Sequence, residues 1–80
     1  MTYVIYGREN CGWCVRAKNL LDGLEEDYRY IDINESDLSK AYLIDNGFKT
    51  VPQIWLDTKH IGGYTELVSF LDEGAYGDNC

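Results

Sequence analysis

Cys11-Gly12-Trp13-Cys14 stands just after a short apolar run and at the opening of an amphipathic one, and the chain is organised around it. Two thiols three positions apart at the start of a helix can close a disulfide with little movement. The first turn of a helix also offers unpaired backbone N–H groups and the positive end of the helix dipole, and both favour a thiolate. Such a thiolate attacks disulfides at neutral pH, where an ordinary cysteine, with a pKa near about 8.5, is mostly protonated. Beside a strand–helix–strand pattern, this spacing reads as a redox motif.

The same cysteines would also serve as half of a zinc site, and the chain holds His60 and Cys80 as well. Zinc modules usually offer their second pair of ligands at close spacing, which His60 and Cys80 lack. A structural disulfide of a secreted domain would come with more cysteines than three. Redox chemistry is therefore favoured, with zinc binding and inert thiols as the alternatives.

Eighty residues make one domain, spanning 1–80, that buries about 60–65% of the surface exposed by the unfolded chain. Seven tyrosines, two tryptophans and an apolar content of 45% make a core feasible at this size. No apolar run approaches the ~18 residues of a membrane span. The chain enters the strand-like Tyr3-Val4-Ile5-Tyr6 without a basic-then-apolar leader, so the expected location is cytoplasmic, in keeping with an odd cysteine count. Fourteen acidic against seven basic residues give a net charge of −7, which argues against a nucleic-acid partner. Arg8, Arg16 and Lys18 flank the cysteines, while most acids fall between Asp22 and Asp37 and toward the C-terminus. A cationic rim at the thiols would suit a small anionic substrate, although ordinary surface scatter explains the pattern as well.

Residues 2–6 run almost without polar interruption, as a buried parallel strand would, and Gly7 ends the run. Asn10 is a plausible N-cap. Over residues 15–24, Ala17, Leu20, Leu21 and Leu24 fall on one helical stripe. Residues 28–33 read as a second strand. Asn34 with Asp37 suggests the start of a short helix whose periodic residues are Leu38, Ala41, Tyr42 and Ile44, ended by Asn46-Gly47. Residues 53–57 form a third strand, joined through Thr58-Lys59 to a brief fourth at His60-Ile61. Gly62-Gly63 breaks it, and Tyr64-Thr65-Glu66 opens a last helix with Leu67, Phe70 and Leu71 on one face. Residues 74–80 lack periodicity and are expected to be a flexible tail.

This α/β order, β-α-β-α-β-β-α, with a CxxC after the first strand and Val51-Pro52 before the third, resembles the thioredoxin fold: a four-stranded mixed sheet flanked by helices. More narrowly, the chain resembles a glutaredoxin of the small bacterial or phage type over nearly its whole length. The segments that carry the resemblance are Tyr6-Gly7-Arg8-Glu9-Asn10-Cys11-Gly12-Trp13-Cys14, Thr50-Val51-Pro52-Gln53-Ile54 and Gly62-Gly63-Tyr64-Thr65-Glu66-Leu67. The resemblance implies that Cys11 is the exposed nucleophile and Cys14 the buried resolving thiol. It implies a cis Val51-Pro52 bond that leaves the Val51 backbone free to pair with a bound peptide. Taken alone, a proline here would be read as trans, because only about 5–6% of X-Pro bonds are cis. Backbone N–H groups across Gly63, Tyr64 and Thr65, with the Thr65 hydroxyl, would hold the γ-glutamyl carboxylate of glutathione. Without a ligand, the same residues read as a turn and an N-cap. Arg8 would pair with the glycyl carboxylate or help hold the thiolate, and Trp13 would wall the cleft.

The expected function is thus a glutathione-dependent thiol–disulfide oxidoreductase that reduces protein disulfides and glutathione mixed disulfides. Its partners would be glutathione and disulfide-bearing or glutathionylated proteins, with ribonucleotide reductase the target the family suggests, and it would act as a monomer. Gly12-Trp13 departs from the Pro-Tyr usual between the two cysteines. A glycine there is similar to glutaredoxins that hold a [2Fe-2S] cluster between protomers through the nucleophilic thiolate and glutathione. Cluster binding at Cys11 is therefore an alternative; no other metal site is expected. A redoxin served by thioredoxin reductase is a third reading, and the Gly62-Gly63-Tyr64-Thr65 segment speaks against it. Cys80 has no family counterpart and reads as a free thiol.

Overall fold

Ile5 sits at the centre of the sheet. It lies on β1 (Tyr3–Gly7), opposite Tyr30 of β2 (Tyr28–Asp32) in a parallel pair and opposite Ile54 of β3 (Gln53–Leu56) in an antiparallel one. β4 (Lys59–Gly62) pairs antiparallel with β3, giving the order β2-β1-β3-β4 and the mixed four-stranded sheet that the resemblance implies. The computed structural model describes residues 2–76, with side chains through Asp72.

β1 alternates. Tyr3, Ile5 and Gly7 are buried, whereas Val4 and Tyr6 are only half-buried. The expectation of a strand buried on both faces is corrected, because the second face is covered less completely than the first. The well-covered face receives α1 (Gly12–Gly23) and α3 (Tyr64–Tyr76), and the core there is Tyr3, Ile5, Ala17, Leu21, Ile54 and Leu67. The α1 stripe runs through Cys14, Ala17 and Leu21 with Leu20 beside it, while Leu24, the C-cap, is exposed. On the other face, the Trp55 ring meets Tyr6 edge-on at 5.4 Å, Tyr42 at 6.0 Å and Phe48 at 5.6 Å.

Four local expectations shift. Helix α2 (Asp37–Asp45) is capped by Ser36, whose hydroxyl accepts the Ser39 N–H at 3.3 Å, and not from Asn34. Asn34 is instead held in a turn, its N–H donating to the Asp32 carboxylate at 2.8 Å. Leu43 is the residue α2 buries, while of the periodic set read from the sequence Leu38 and Ile44 stay exposed and Tyr42, half in water, still meets the Trp55 ring. The β3–β4 turn centres on Asp57 (φ 54°), a left-handed position that aspartate tolerates. Helix α3 runs to Tyr76, three residues into the stretch read as a tail; extending an existing helix costs far less than starting one. Cys80 lies outside the described residues.

Candidate functional site

α1 begins with a cysteine as its cap. Cys11 holds extended backbone angles (φ −111°, ψ 104°), and its Sγ accepts the Cys14 N–H at 3.2 Å while its carbonyl takes the Val15 N–H at 3.1 Å. The expected cap, Asn10, stands one residue too early and in a left-handed conformation (φ 56°). Cys11 and Cys14 are joined in a disulfide with Cα atoms 5.2 Å apart. Cys14 is 0% exposed and Cys11 6% exposed, so both residues are buried in the disulfide form, and the exposed Cys11 that the resemblance implies is corrected. Cys11 is covered because its Sγ is turned inward, 4.0 Å from the Val51 carbonyl oxygen.

That carbonyl belongs to the loop before β3. The Val51-Pro52 bond is cis, as the resemblance implies, and Pro52 is buried. Gln53, the one buried polar side chain among the described residues, anchors the loop from behind. Its amide donates to the Thr50 carbonyl at 3.0 Å and to the Thr50 hydroxyl at 3.3 Å, and its Oε1 lies 2.9 Å from His60 Nε2. The His60 ring in turn packs on Trp55 at 4.4 Å and Phe48 at 4.6 Å. This role for Gln53 was missed in the sequence, where its only signal is a polar residue opening an otherwise apolar strand.

α3 starts beside the same loop. Gly62 has φ +125°, and a Cβ there would lie 2.8 Å from Glu66 Cγ, so this position needs glycine both for its backbone and for its space. A Cβ on Gly63 would stand 3.5 Å from the Pro52 carbonyl oxygen, which places the two segments side by side. The Gly63 N–H donates to Glu66 Oε1 at 2.8 Å. A glutamate three residues into a helix that reaches back to the cap N–H is half of a capping box, a signal present in the sequence and not used.

The remaining expected residues divide. Trp13 is 55% exposed, and its ring lies 5.5 Å from that of Tyr64, joining the first turns of α1 and α3. Arg8 shares a cavity with Val51, and its guanidinium donates to the Glu9 and Asn10 carbonyls. Thr65 stands apart: it lines a different cavity, with His60 and Phe70. Of the other cations expected at the rim, Arg16 lies over the Trp13 ring at 4.6 Å and Lys18 over the Tyr30 ring at 4.2 Å. Tyr30 donates its hydroxyl to the Arg8 carbonyl at 2.9 Å. Burial and the nearby Asp32 charge hold its phenol above the ordinary value, so it remains a donor. Gly7 makes room for this arrangement, since a Cβ there would collide with the Tyr30 hydroxyl and reach 2.9 Å from the Cys14 sulfur. Among the described residues, no three of His, Cys, Asp and Glu gather as metal ligands, and His60 is packed away from the cysteines against Trp55.

This geometry has close counterparts. The sequence profile of the glutaredoxin family matches residues 3–61. Glutaredoxin 1 of Salmonella typhimurium is 43% identical over 81 residues, covering 91% of this chain and 93% of that protein. The structure of reduced Escherichia coli glutaredoxin superposes with a TM-score of 0.78 at 38% identity, covering 94% of this chain and 98% of that one. A buckwheat glutaredoxin–glutathione complex superposes with a TM-score of 0.77 at 33% identity, covering 90% of this chain and 69% of that one. A paired CxxC at a helix start, with a cis-proline loop beside the sulfur and relatives of this similarity, leaves one conclusion: the chain belongs to the glutaredoxin family of thiol–disulfide oxidoreductases.

Proposed function

We propose that the chain uses glutathione as its reductant, with Cys11 as nucleophile and Cys14 as resolving thiol. The observation that carries the reading is the position of the Cys11 sulfur, which caps α1 and accepts the Cys14 N–H at 3.2 Å. In the reduced protein the same N–H and the helix terminus stabilise a Cys11 thiolate. That thiolate attacks one sulfur of a target disulfide, forming a mixed disulfide and expelling the other sulfur as a thiolate that takes up a proton. Cys14 then loses its proton and attacks Cys11 Sγ, which closes the Cys11–Cys14 disulfide and releases the reduced target. One glutathione thiolate opens that disulfide and becomes joined to Cys11. A second attacks the bound glutathione sulfur, leaving as glutathione disulfide and restoring Cys11. A glutathionylated target enters the same cycle.

The glutathione site we propose comprises Arg8, Trp13, Val51, Pro52, Gly63, Tyr64 and Thr65. Support comes from the Val51 carbonyl beside the sulfur, the Trp13–Tyr64 contact, and the neighbouring Pro52 and Gly63 backbones. The buckwheat relative carries glutathione. Thr65 would act through its backbone N–H at the start of α3. The targets are disulfide-bearing or glutathionylated proteins, ribonucleotide reductase among them, met by a cytoplasmic monomer. No helix among the described residues is long and apolar enough to cross a membrane. The dithiol reading is preferred to a [2Fe-2S] cluster at Cys11 because the Cys14 N–H and sulfur both converge on Cys11 Sγ. The test is turnover of a small glutathione mixed disulfide coupled to glutathione reductase and NADPH. Steady NADPH consumption is expected; consumption only when thioredoxin reductase is supplied would overturn the glutathione assignment.

A further inference from the structure

His60 lies on β4, outside the site, yet a chain of hydrogen bonds runs from its ring to the loop beside the Cys11 sulfur. That chain has one sense. The Thr50 carbonyl can only accept, so the amide nitrogen of Gln53 faces it at 3.0 Å and the amide oxygen faces His60. This oxygen can only accept in turn, and His60 Nε2, at 2.9 Å, therefore carries a hydrogen. Gln53 is 7% exposed, so without the His60 donor its amide loses the partner that fixes which end points at Thr50. The Thr50-Val51 bond is trans, the cis bond being the next one. In a trans peptide the carbonyl and the following N–H point in opposite directions. Holding the Thr50 carbonyl against Gln53 thus turns the Val51 N–H away from Gln53. That N–H makes no hydrogen bond among the described residues, and the carbonyl of the same residue lies 4.0 Å from Cys11 Sγ.

We infer that His60 is a positioning residue for thiol–disulfide exchange: through Gln53 it sets the tilt of the Thr50-Val51 peptide and keeps the Val51 N–H turned out to a substrate's backbone. The inference rests on the proposed pairing of a bound chain with Val51 and deepens it. His60 itself touches neither sulfur. Packing does not account for its polar contact. The ring lies against Trp55 at 4.4 Å and Phe48 at 4.6 Å, and a phenyl ring would fill that place as well. Only a donor at the Nε2 position holds the Gln53 amide in its one sense. The relay therefore joins β4 to the exchange reaction through two side chains and one peptide plane.

Two substitutions separate the donor from the ring. His60→Phe keeps a ring against Trp55 and Phe48 and removes the donor, whereas His60→Gln keeps an N–H near the Nε2 position and removes the ring. Single-turnover rate constants of the pre-reduced protein are read with two disulfides and no glutathione, so a failed glutathione assignment leaves the comparison readable. The disulfide dimer of a blocked Ala-Cys-Ala peptide has a backbone to pair with Val51; bis(2-hydroxyethyl) disulfide has none. Wild type should reduce the peptide the faster of the two. His60→Phe should slow the peptide about fivefold, the effect of one misplaced hydrogen bond, and leave bis(2-hydroxyethyl) disulfide within about twofold of wild type. His60→Gln should hold both rates within about twofold of wild type. In a Gln53→Met background, His60→Phe should slow the peptide no further. A peptide rate kept by His60→Phe, or lost in His60→Gln, would overturn the inference and assign the ring to packing. Equal slowing of both disulfides, or a full His60→Phe effect in the Gln53→Met background, would overturn it too. A wild-type protein with no preference for the peptide would contradict the Val51 pairing itself, and the inference with it.

Discussion

The first turns of α1 and α3 touch through Trp13 and Tyr64, yet they satisfy their unpaired N–H groups in opposite ways. α3 brings a carboxylate, with Glu66 Oε1 accepting the Gly63 N–H at 2.8 Å. α2 likewise places Asp37 in its first turn. α1 alone of the three has no acid there, and its cap is the Cys11 sulfur. In a chain with fourteen acids, the helix terminus kept clear of them is the one that carries the thiol. The dipole and N–H groups that stabilise a carboxylate at α3 are thus left to stabilise a thiolate at α1.

The strongest way to break this contrast is to remove the sulfurs in turn. Cys11→Ser should abolish all turnover, whereas Cys14→Ser should retain deglutathionylation and lose dithiol reduction of protein disulfides. An active Cys11→Ser beside a dead Cys14→Ser would reverse the assignment. A structural blow comes next. Gly7→Ala drives a methyl into the Tyr30 hydroxyl and toward the Cys14 sulfur. It should cost about 1–3 kcal/mol of stability in denaturant unfolding, as overpacking does; an unchanged midpoint would show that the space beside Cys14 is not tight.

Exchanging the character of the two termini sharpens the contrast further. Gly12 has open space around its Cα, so Gly12→Asp adds a carboxylate to the first turn of α1 without a clash. The alkylation midpoint of Cys11 should rise by a fraction of a pH unit, since a charge at a helix terminus is worth about 0.3–1 kcal/mol and one pH unit about 1.4 kcal/mol. Glu66→Ala should lower stability by about 0.5–2 kcal/mol, the range for a lost cap, and leave Cys11 alkylation unmoved. If Glu66→Ala shifts Cys11 as far as Gly12→Asp does, the two termini are not independent.

The smallest effect is alkaline. Burial first, then Glu26 near Tyr3, Asp22 near Tyr28 and Asp32 near Tyr30, raises all three phenols above 10.0. The unfolded chain therefore loses these protons before the folded one does. The native advantage is whole below pH 10 and falls as the pH rises through the unfolded and then the folded values. Denaturant midpoints of the oxidised protein should decline from there upward, and Tyr30→Phe should soften the decline.

The sequence read well where chemistry and periodicity coincide. The cysteine pair, the order of elements along the chain and the Leu67-Phe70-Leu71 face of α3 are all found where they were expected. Long-range effects were hidden. Asn10 looks like a cap until the chain is seen to take a left-handed turn there, which hands the role to Cys11. Leu38 and Ile44 look like a core face, but α2 packs through Leu43 and leaves them in water. Gln53 reads as an ordinary strand residue because its partners, Thr50 and His60, converge on it only in the folded sheet. The cis Val51-Pro52 bond was legible only through resemblance, since nothing in two adjacent residues encodes it.

The claim that the α1 terminus is built for a thiolate is tested most directly by the rate of Cys11 alkylation against pH in the reduced wild-type protein. Cys14→Ser serves as the control that isolates one sulfur. The helix N-terminus and the Cys14 N–H at 3.2 Å place the midpoint below that of a free thiol, about 8.5. A midpoint at or above that value would contradict the account.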